Sequence, residues 1–399
     1  MLDVTYLLTD IELTLDNSPV FQSQVLDWMR VQTEYGVQIG LVTQIAEQQI
    51  FDDKIVQLLT ELGVPFEPSK QMGGFSLPGQ VVRSALALRR FAKTNPSRNI
   101  YVRGVWGAYS YLLAYPLGGP QLIYDFRGDV EAEFSYRKRR RLKTWILSRL
   151  VGRAIRAADV TICISKPGAK LLELRYGARP STVMPSCVDT RRYSTSPRAI
   201  RAARSKLGYA HDDIVFVYSG GISRYQMIQE MIDIWAILQD DPKIKFLLLT
   251  NQTPTPIASH FDVSAITPTR LRCTTVSRDQ TPYFLSAADV AFMLREEHPV
   301  NRVASPVKLG EYLASGLPVV TSPGIGDVSD IVVSRRLGAL VSPSETKPSS
   351  MTIRKLVTQL RQSREDWRCR SKQAALELFD WRVHIPAWKQ LLGMCDPDD

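Results

Sequence analysis

Residues 215–236 read VFVYSGGISRYQMIQEMIDIWA: an unbroken apolar run, a double glycine at Gly220 and Gly221, and then a helical pattern. A short continuous apolar run bounded by a turn signal is the mark of a strand covered on both faces, as in a parallel sheet. Glycines at such a turn let the backbone approach a phosphate, and the helix that follows offers free N–H groups at its N-terminus. The turn contains neither GxGxxG nor GxxxxGKS, so a dinucleotide fingerprint and a P-loop are both excluded. Taken alone, it is weak evidence, since most strand-to-helix turns with glycine are only turns.

Working outward, the same alternation fills the chain. In the second half, 214–218, 245–249, 272–276, 290–294, 318–321 and 339–341 read as strands. Helical patterns fall there at about 226–239, 279–287, 307–315, 325–334 and 350–376. In the first half, 4–8, 37–42, 99–102, 122–124 and 160–164 read as strands. The helical patterns are at 19–35, 47–61, 79–93, 105–115, 131–157 and 166–176. Strands alternating with helices predict parallel sheets with crossover helices. The polar stretch TRRYSTSP at 190–197 marks a seam. A chain of 399 residues exceeds what one hydrophobic core sustains. The reading is two doubly wound α/β domains facing across a cleft, over 1–193 and 194–376. The aromatic-rich segment FDWRVHIPAWKQLL lies within 377–399, a tail helix expected to fold back on the first domain.

Composition narrows the class. Hydrophobic residues make up 44% and charged residues 23%, the balance of a globular protein. Five scattered cysteines show no CxxC spacing, so the reading is reduced thiols in a cytoplasmic setting. No signal-peptide pattern opens the chain, and no run of about 18 apolar residues predicts a membrane span. The net charge of +10 is concentrated in RKRRRLKTWILSRLVGRAIR, residues 137–156. Leu142, Trp145, Ile146, Leu150, Val151 and Ile155 there share one face of a helix, with Arg139, Arg140, Arg141 and Lys143 around it. Such a helix suits an anionic bilayer surface, with Trp145 at the acyl boundary; the other reading is a core-packed helix with a solvated basic face. Nucleic-acid binding calls for a basic groove interleaved with aromatics, which this single helix does not supply.

A second constellation lies at 304–327, ASPVKLGEYLASGLPVVTSPGIGD. Pro306 suits a first helical turn, Lys308 and Glu311 are three apart on one face, and Gly316 ends the helix before a buried strand. A carboxylate at Glu311 can accept two hydroxyl hydrogen bonds from a ribose, while Lys308 faces a diphosphate. The alternative is a surface Lys/Glu pair.

The run PVKLGEYLASGLPVV, 306–320, resembles the donor-binding segment of retaining family 4 glycosyltransferases with the GT-B fold. The order of the glycine turn, TPYFLSAADVAFM (281–293), the Glu311 helix and Gly324–Asp327 resembles that family as well. The resemblance implies that a nucleoside-diphosphate hexose is bound by Gly220, Gly221, Arg224, Asn301, Pro306, Lys308 and Glu311. It implies no further cofactor and no metal. In the family a first glutamate contacts the sugar; it falls on Val303, with Asn301 as the favoured substitute. The family's Arg and Lys after the glycine turn fall on Gly221 and Gln226, with Arg224 and Lys308 as replacement charges.

The acceptor, a polysaccharide or lipid-linked glycan, is assigned by the resemblance to the first domain. LDNSPVFQSQVLDWM (15–29) places Ser18 at a turn after the first strand. IYDFRGDVEAEF (123–134) places Asp125, Arg127, Asp129 and Glu131 at a strand's carboxyl end; the other reading of Asp129 is a helix cap with a local salt bridge. No catalytic residue is named. The implied setting is the inner face of the cell membrane. Against transfer stand a sugar-nucleotide epimerase of the same architecture and a catalytically degenerate scaffold.

Overall fold

The computed structural model describes residues 1–9, 21–45, 53–70, 77–136, 141–193, 196–250, 260–264 and 269–394. The chain divides into two compact units, Met1–Val188 with Trp381–Asp399, and Asp189–Asp380. The division thus falls at Val188 and Asp189 rather than at 193, and the tail begins at Trp381 rather than at 377.

The first unit holds seven strands: β1 (Leu2–Leu8), β2 (Ile39–Ile45), β3 (Phe66–Lys70), β4 (Ser97–Arg103), β5 (Gln121–Phe126), β6 (Val160–Cys163) and β7 (Thr182–Val183). They form one sheet in the order β3-β2-β1-β4-β5-β6-β7, all parallel. The strand order reverses between β1 and β4, which makes their carboxyl ends a topological switch point. Strands β3 and β7 are absent from the sequence reading. β3 (FEPSK) has no apolar alternation and carries Pro68, which an edge strand tolerates. β7 has only two residues.

One sheet face packs on helix Asp27–Glu34 and the tail. Trp28 stacks on Trp381 with ring centroids 4.9 Å apart and meets Trp388 edge-on at 5.8 Å. Trp388 Nε1 donates to Gln32 Oε1 at 2.6 Å, and Gln32 Nε2 donates to the Tyr6 hydroxyl at 2.7 Å. All four polar atoms lie in the core, so the indole and the amide satisfy each other where water cannot. The other sheet face is covered by helices Leu77–Thr94, Val105–Ala114 and Arg141–Ala157, whose Leu88, Phe91, Ala108, Val151 and Ala154 form its core. The helical pattern read over 131–157 is two helices, Val130–Tyr136 and Arg141–Ala157.

The second unit holds β8 (Ile214–Ser219), β9 (Ile244–Thr250), β10 (Leu271–Thr275), β11 (Val290–Met293), β12 (Val319–Thr321) and β13 (Gly338–Leu340). The parallel order β10-β9-β8-β11-β12-β13 puts the switch point at the carboxyl ends of β8 and β11. Helix Pro197–Leu207 begins at the last residue of the polar seam and is absent from the sequence reading. Ser196 caps it by accepting from Ala199 N at 3.2 Å, and left-handed Gly208 ends it. Only Ala203, Arg204 and Leu207 of that helix are buried, which is why its apolar period is faint.

Candidate donor site

Strand β8 ends at Ser219, and Gly220 follows with φ +147°, a conformation that L residues rarely adopt. A Cβ at position 220 would run into Nζ and Cε of Lys308. The backbone angle calls for glycine, and any side chain there would also displace the end of the lysine. Lys308 reaches this point from the second residue of helix Val307–Ala314, which Pro306 precedes at the cap position. Its Nζ donates to Tyr218 Oη at 2.8 Å and to Gln226 Oε1 at 3.0 Å, and stands 4.4 Å from the centre of the Tyr218 ring. The Tyr218 hydroxyl donates in turn to the Gly221 carbonyl at 2.6 Å. Burial and the nearby Arg295 guanidinium bring the Lys308 amine down to about 7, against the opposing pull of Glu311.

Glu311 lies one turn along the same helix and is half-buried. Tyr312, next to it, faces inward and accepts from Ser219 N at 2.9 Å, tying the helix to the end of β8. Burial pushes the Tyr312 and Tyr218 hydroxyls well above the usual phenol range, so both stay neutral. Arg224 is exposed in the short 3-10 turn Arg224–Gln226. Asn301 is buried with both ends of its amide engaged: Nδ2 donates to the Glu296 carbonyl at 2.8 Å, and Oδ1 accepts from Arg295 Nη1 at 3.2 Å. It orders the loop after β11, with both ends of the amide used inside the fold. Val303 is buried and apolar.

The structure thus gathers Gly220, Gly221, Lys308 and Glu311 at the switch point. It adds Tyr218, Gln226, Arg295 and Tyr312, which the sequence reading does not assign as ligands. Arg295 carried a readable signal, a charge directly after a buried strand at its carboxyl end. The two tyrosines carried none, because aromatic residues in a strand and a helix read as core.

In the first unit, Asp125 at the end of β5 is buried. It accepts from the Tyr101 hydroxyl in a short hydrogen bond and from Arg127 Nε at 2.5 Å. Arg127 Nη1 donates to Gln24 Oε1 at 3.3 Å, which is carried on a single π-helical turn, Gln22–Leu26. Burial pulls the Arg127 charge down, but Asp125 and Tyr101 outweigh it and hold the guanidinium charged. Asp129 caps helix Val130–Tyr136 by accepting from Glu131 N (3.1 Å) and Ala132 N (3.2 Å). It also pairs with Arg175 through two hydrogen bonds of 2.7 and 3.2 Å, and Glu131 Oε2 lies 3.5 Å from the same arginine. Both aspartates are therefore engaged within the fold, and for Asp129 the cap reading describes the geometry. Ser18 lies outside the described residues.

Helix Arg141–Ala157 corrects the single apolar stripe. Leu147, Val151, Ala154 and Ile155 are buried, whereas Leu142 (68% exposed), Trp145 (57%) and Ile146 (45%) form a separate outward patch. Leu142, Trp145, Ile146 and Arg149 fall on one face, and the Arg149 guanidinium stands 5.0 Å from the Trp145 ring. Lys143, Arg149, Arg153 and Arg156 are exposed beside them. Arg139 and Arg140 lie outside the described residues, and Arg141 opens the helix. No helix among the described residues is long and apolar enough to cross a membrane. Among the same residues no group of three or more His, Cys, Asp or Glu is placed to hold a metal ion.

Residues 22–192 match the family description Glycosyltransferase Family 4, and residues 213–359 match Glycosyl transferases group 1. Among solved structures, sucrose-phosphate synthase from Thermosynechococcus elongatus is similar with a TM-score of 0.75 at 14% identity, covering 97% of this chain and 98% of that one. Anabaena HepE, solved in complex with UDP-glucose, is similar with a TM-score of 0.71 at 17% identity, covering 98% and 100%. WaaG, a glycosyltransferase involved in lipopolysaccharide biosynthesis, is similar with a TM-score of 0.67 at 13% identity, covering 98% and 100%. At these identities the likenesses show the fold. No curated protein matches the sequence.

Proposed function

Because the chain belongs to the GT-B glycosyltransferases of the family 4 and group 1 type, we propose that it moves a hexose from a nucleoside-diphosphate sugar to a surface polysaccharide or lipid-linked oligosaccharide, with retention. The single observation that carries the donor reading is the Lys308 ammonium under Gly220, held 3.0 Å from Gln226. Position 226 is where the family resemblance expects a lysine. Here the residue is an amide, and the cation arrives beside it from another helix. The charge needed to stabilise a departing diphosphate is thus supplied at that place by a different part of the chain.

In this reading Gly220 and Gly221 admit the diphosphate to the backbone, Lys308 and Arg224 neutralise it, and Glu311 receives the ribose hydroxyls. With these two charges the reading needs no metal ion or other cofactor, the nucleotide sugar being a co-substrate. HepE, to which the chain is similar, has been solved with UDP and with UDP-glucose, which favours uridine as the first nucleoside to test. The first unit takes the acceptor, through Ser18, Arg127 and Glu131. The outward patch Leu142–Trp145–Ile146 with its flanking Lys143, Arg149 and Arg153 suits a peripheral seat on an anionic inner membrane surface, where a lipid-linked acceptor is presented.

A thermal-shift panel of the purified protein with UDP, GDP, ADP and CMP tests the donor reading, since a ligand that binds the folded state raises its melting temperature. A shift with one diphosphate supports it and identifies the nucleoside, after which product analysis identifies the sugar and its anomeric configuration. No shift with any of them would leave the degenerate scaffold as the better reading.

A further inference from the structure

Arg295 follows β11 at the same switch point, and its backbone is pinned on both sides by Ser322: its N–H donates to Ser322 Oγ and its carbonyl accepts from it, each at 2.9 Å. The side chain is held by one neutral partner, Asn301, through Nη1. Its Nε is buried and has no hydrogen-bond partner. Other buried arginines of this unit have anionic or multiple carbonyl partners: Arg270 donates to the backbone carbonyls of Ile244, Gln239 and Asp241. Arg204 and Arg368 both pair with the carboxylate of Asp289, at 2.5 and 3.3 Å. A guanidinium kept for structure is compensated by a carboxylate or by several carbonyls, because an uncompensated buried charge is costly. Arg295 has neither, and the nearest cation, Lys308, is likewise held by neutral partners, Tyr218 and Gln226.

Nη1 is already engaged, so the side edge of the guanidinium, Nε with Nη2, is the part that remains to bind. That edge matches two oxygens of a phosphate or a carboxylate. We propose that Arg295 is a donor-binding residue whose Nε edge receives an oxyanion of the nucleotide sugar, with Lys308 as its cationic partner. The inference rests on the donor reading above and extends it to a residue that the family pattern does not assign. Tyr225, with its ring centre 5.0 Å from the guanidinium, covers the arginine in the free chain and gives way when the oxyanion enters. Two donor groups have this chemistry, the diphosphate and the carboxylate of an acidic sugar.

The test is calorimetric titration of the full chain and its Arg295→Gln and Arg295→Lys variants with UMP, UDP, UDP-glucose and UDP-glucuronate. Arg295→Lys keeps the charge and removes the planar fork, so it separates a lost contact from a folding defect; unliganded melting temperatures provide the second control. A loss of roughly tenfold or more on UDP and both sugars, with UMP unchanged, places the diphosphate on Arg295. A comparable loss confined to UDP-glucuronate places a sugar carboxylate there. Folded variants that bind all four like the wild type overturn the inference while leaving the donor reading intact. A wild-type chain that binds no nucleoside diphosphate of any base removes the donor reading and this inference with it.

Discussion

Lys308 Nζ stands 3.0 Å from Oε1 of Gln226, eighty-two positions earlier in the chain. A cation and an amide meet there at the turn where a diphosphate-binding chain requires positive charge. The lysine belongs to a helix that follows β11, whereas the glutamine belongs to the turn that follows β8. The two elements are adjacent only because β8 and β11 are paired in the sheet.

The pH dependence of this pair follows from its burial. In the free chain the Lys308 amine titrates at about 7, whereas in an unfolded chain a lysine titrates at about 10.4. Between those values the unfolded state holds a proton that the folded state lacks, so this group makes stability rise with pH across that window. A bound diphosphate favours the ammonium, so binding takes up a proton above pH 7. Nucleotide affinity should then fall as pH rises from about 7 to 9, by at most roughly tenfold per unit. Calorimetry in buffers of different ionisation enthalpy measures the proton directly; a flat profile with no buffer dependence would remove Lys308 from the ligand set.

Gly220→Ala should damage the site and the fold together. The new Cβ enters the space of the Lys308 side chain at a φ of +147°, and a residue held in such a conformation costs about 1–3 kcal/mol. Denaturant titration should register that loss, and diphosphate affinity should drop by at least about tenfold. Retained affinity would mean that the lysine can move away without consequence for binding.

Glu311→Ala is expected to separate binding from stability. The carboxylate is half-buried, and Tyr312 anchors its helix to the end of β8. Loss of a hydrogen-bonded carboxylate should weaken nucleotide binding by about 1.5–3 kcal/mol with the melting temperature little changed. If affinity is unaltered, the ribose is held elsewhere.

Trp388→Ala should destabilise the first unit by about 3–5 kcal/mol, the usual cost of removing a buried tryptophan. The substitution also leaves Gln32 Oε1 without its indole donor. Trp388→Phe should recover part of the packing but not the hydrogen bond. Equilibrium unfolding of the wild type and both variants separates packing from the hydrogen bond, and a Trp388→Phe chain as stable as the wild type would show that the bond contributes nothing.

Replacing Leu142, Trp145 and Ile146 by serine should leave stability almost unchanged, since all three are exposed. It should release the protein from anionic vesicles if the patch seats on a membrane. Sedimentation with vesicles containing and lacking anionic lipid checks both parts. Binding that survives the triple replacement would assign the surface affinity to other residues.

The outward patch also shows how far sequence periodicity reaches. Leu142, Trp145, Ile146, Leu150, Val151 and Ile155 read as one apolar face, because a helix of 17 residues carries enough apolar positions to satisfy more than one stripe. The sheet below decided which stripe is buried. Burial took Leu147, Val151, Ala154 and Ile155 and left Leu142, Trp145 and Ile146 outside.

The two doubly wound units, most of their strands and the glycine turn were legible from local pattern, because strand and helix periods and turn chemistry are properties of neighbouring residues. The Lys308–Glu311 helix was legible for the same reason. Strands β3 and β7 were not, since edge strands are held by pairing with a neighbour rather than by their own apolar content. Nor were the engagement of both ends of Asn301, the unpartnered Nε of Arg295 or the meeting of Lys308 with Gln226. Those depend on which strands lie side by side and on what each side chain finds across the sheet, and only the tertiary structure decides that.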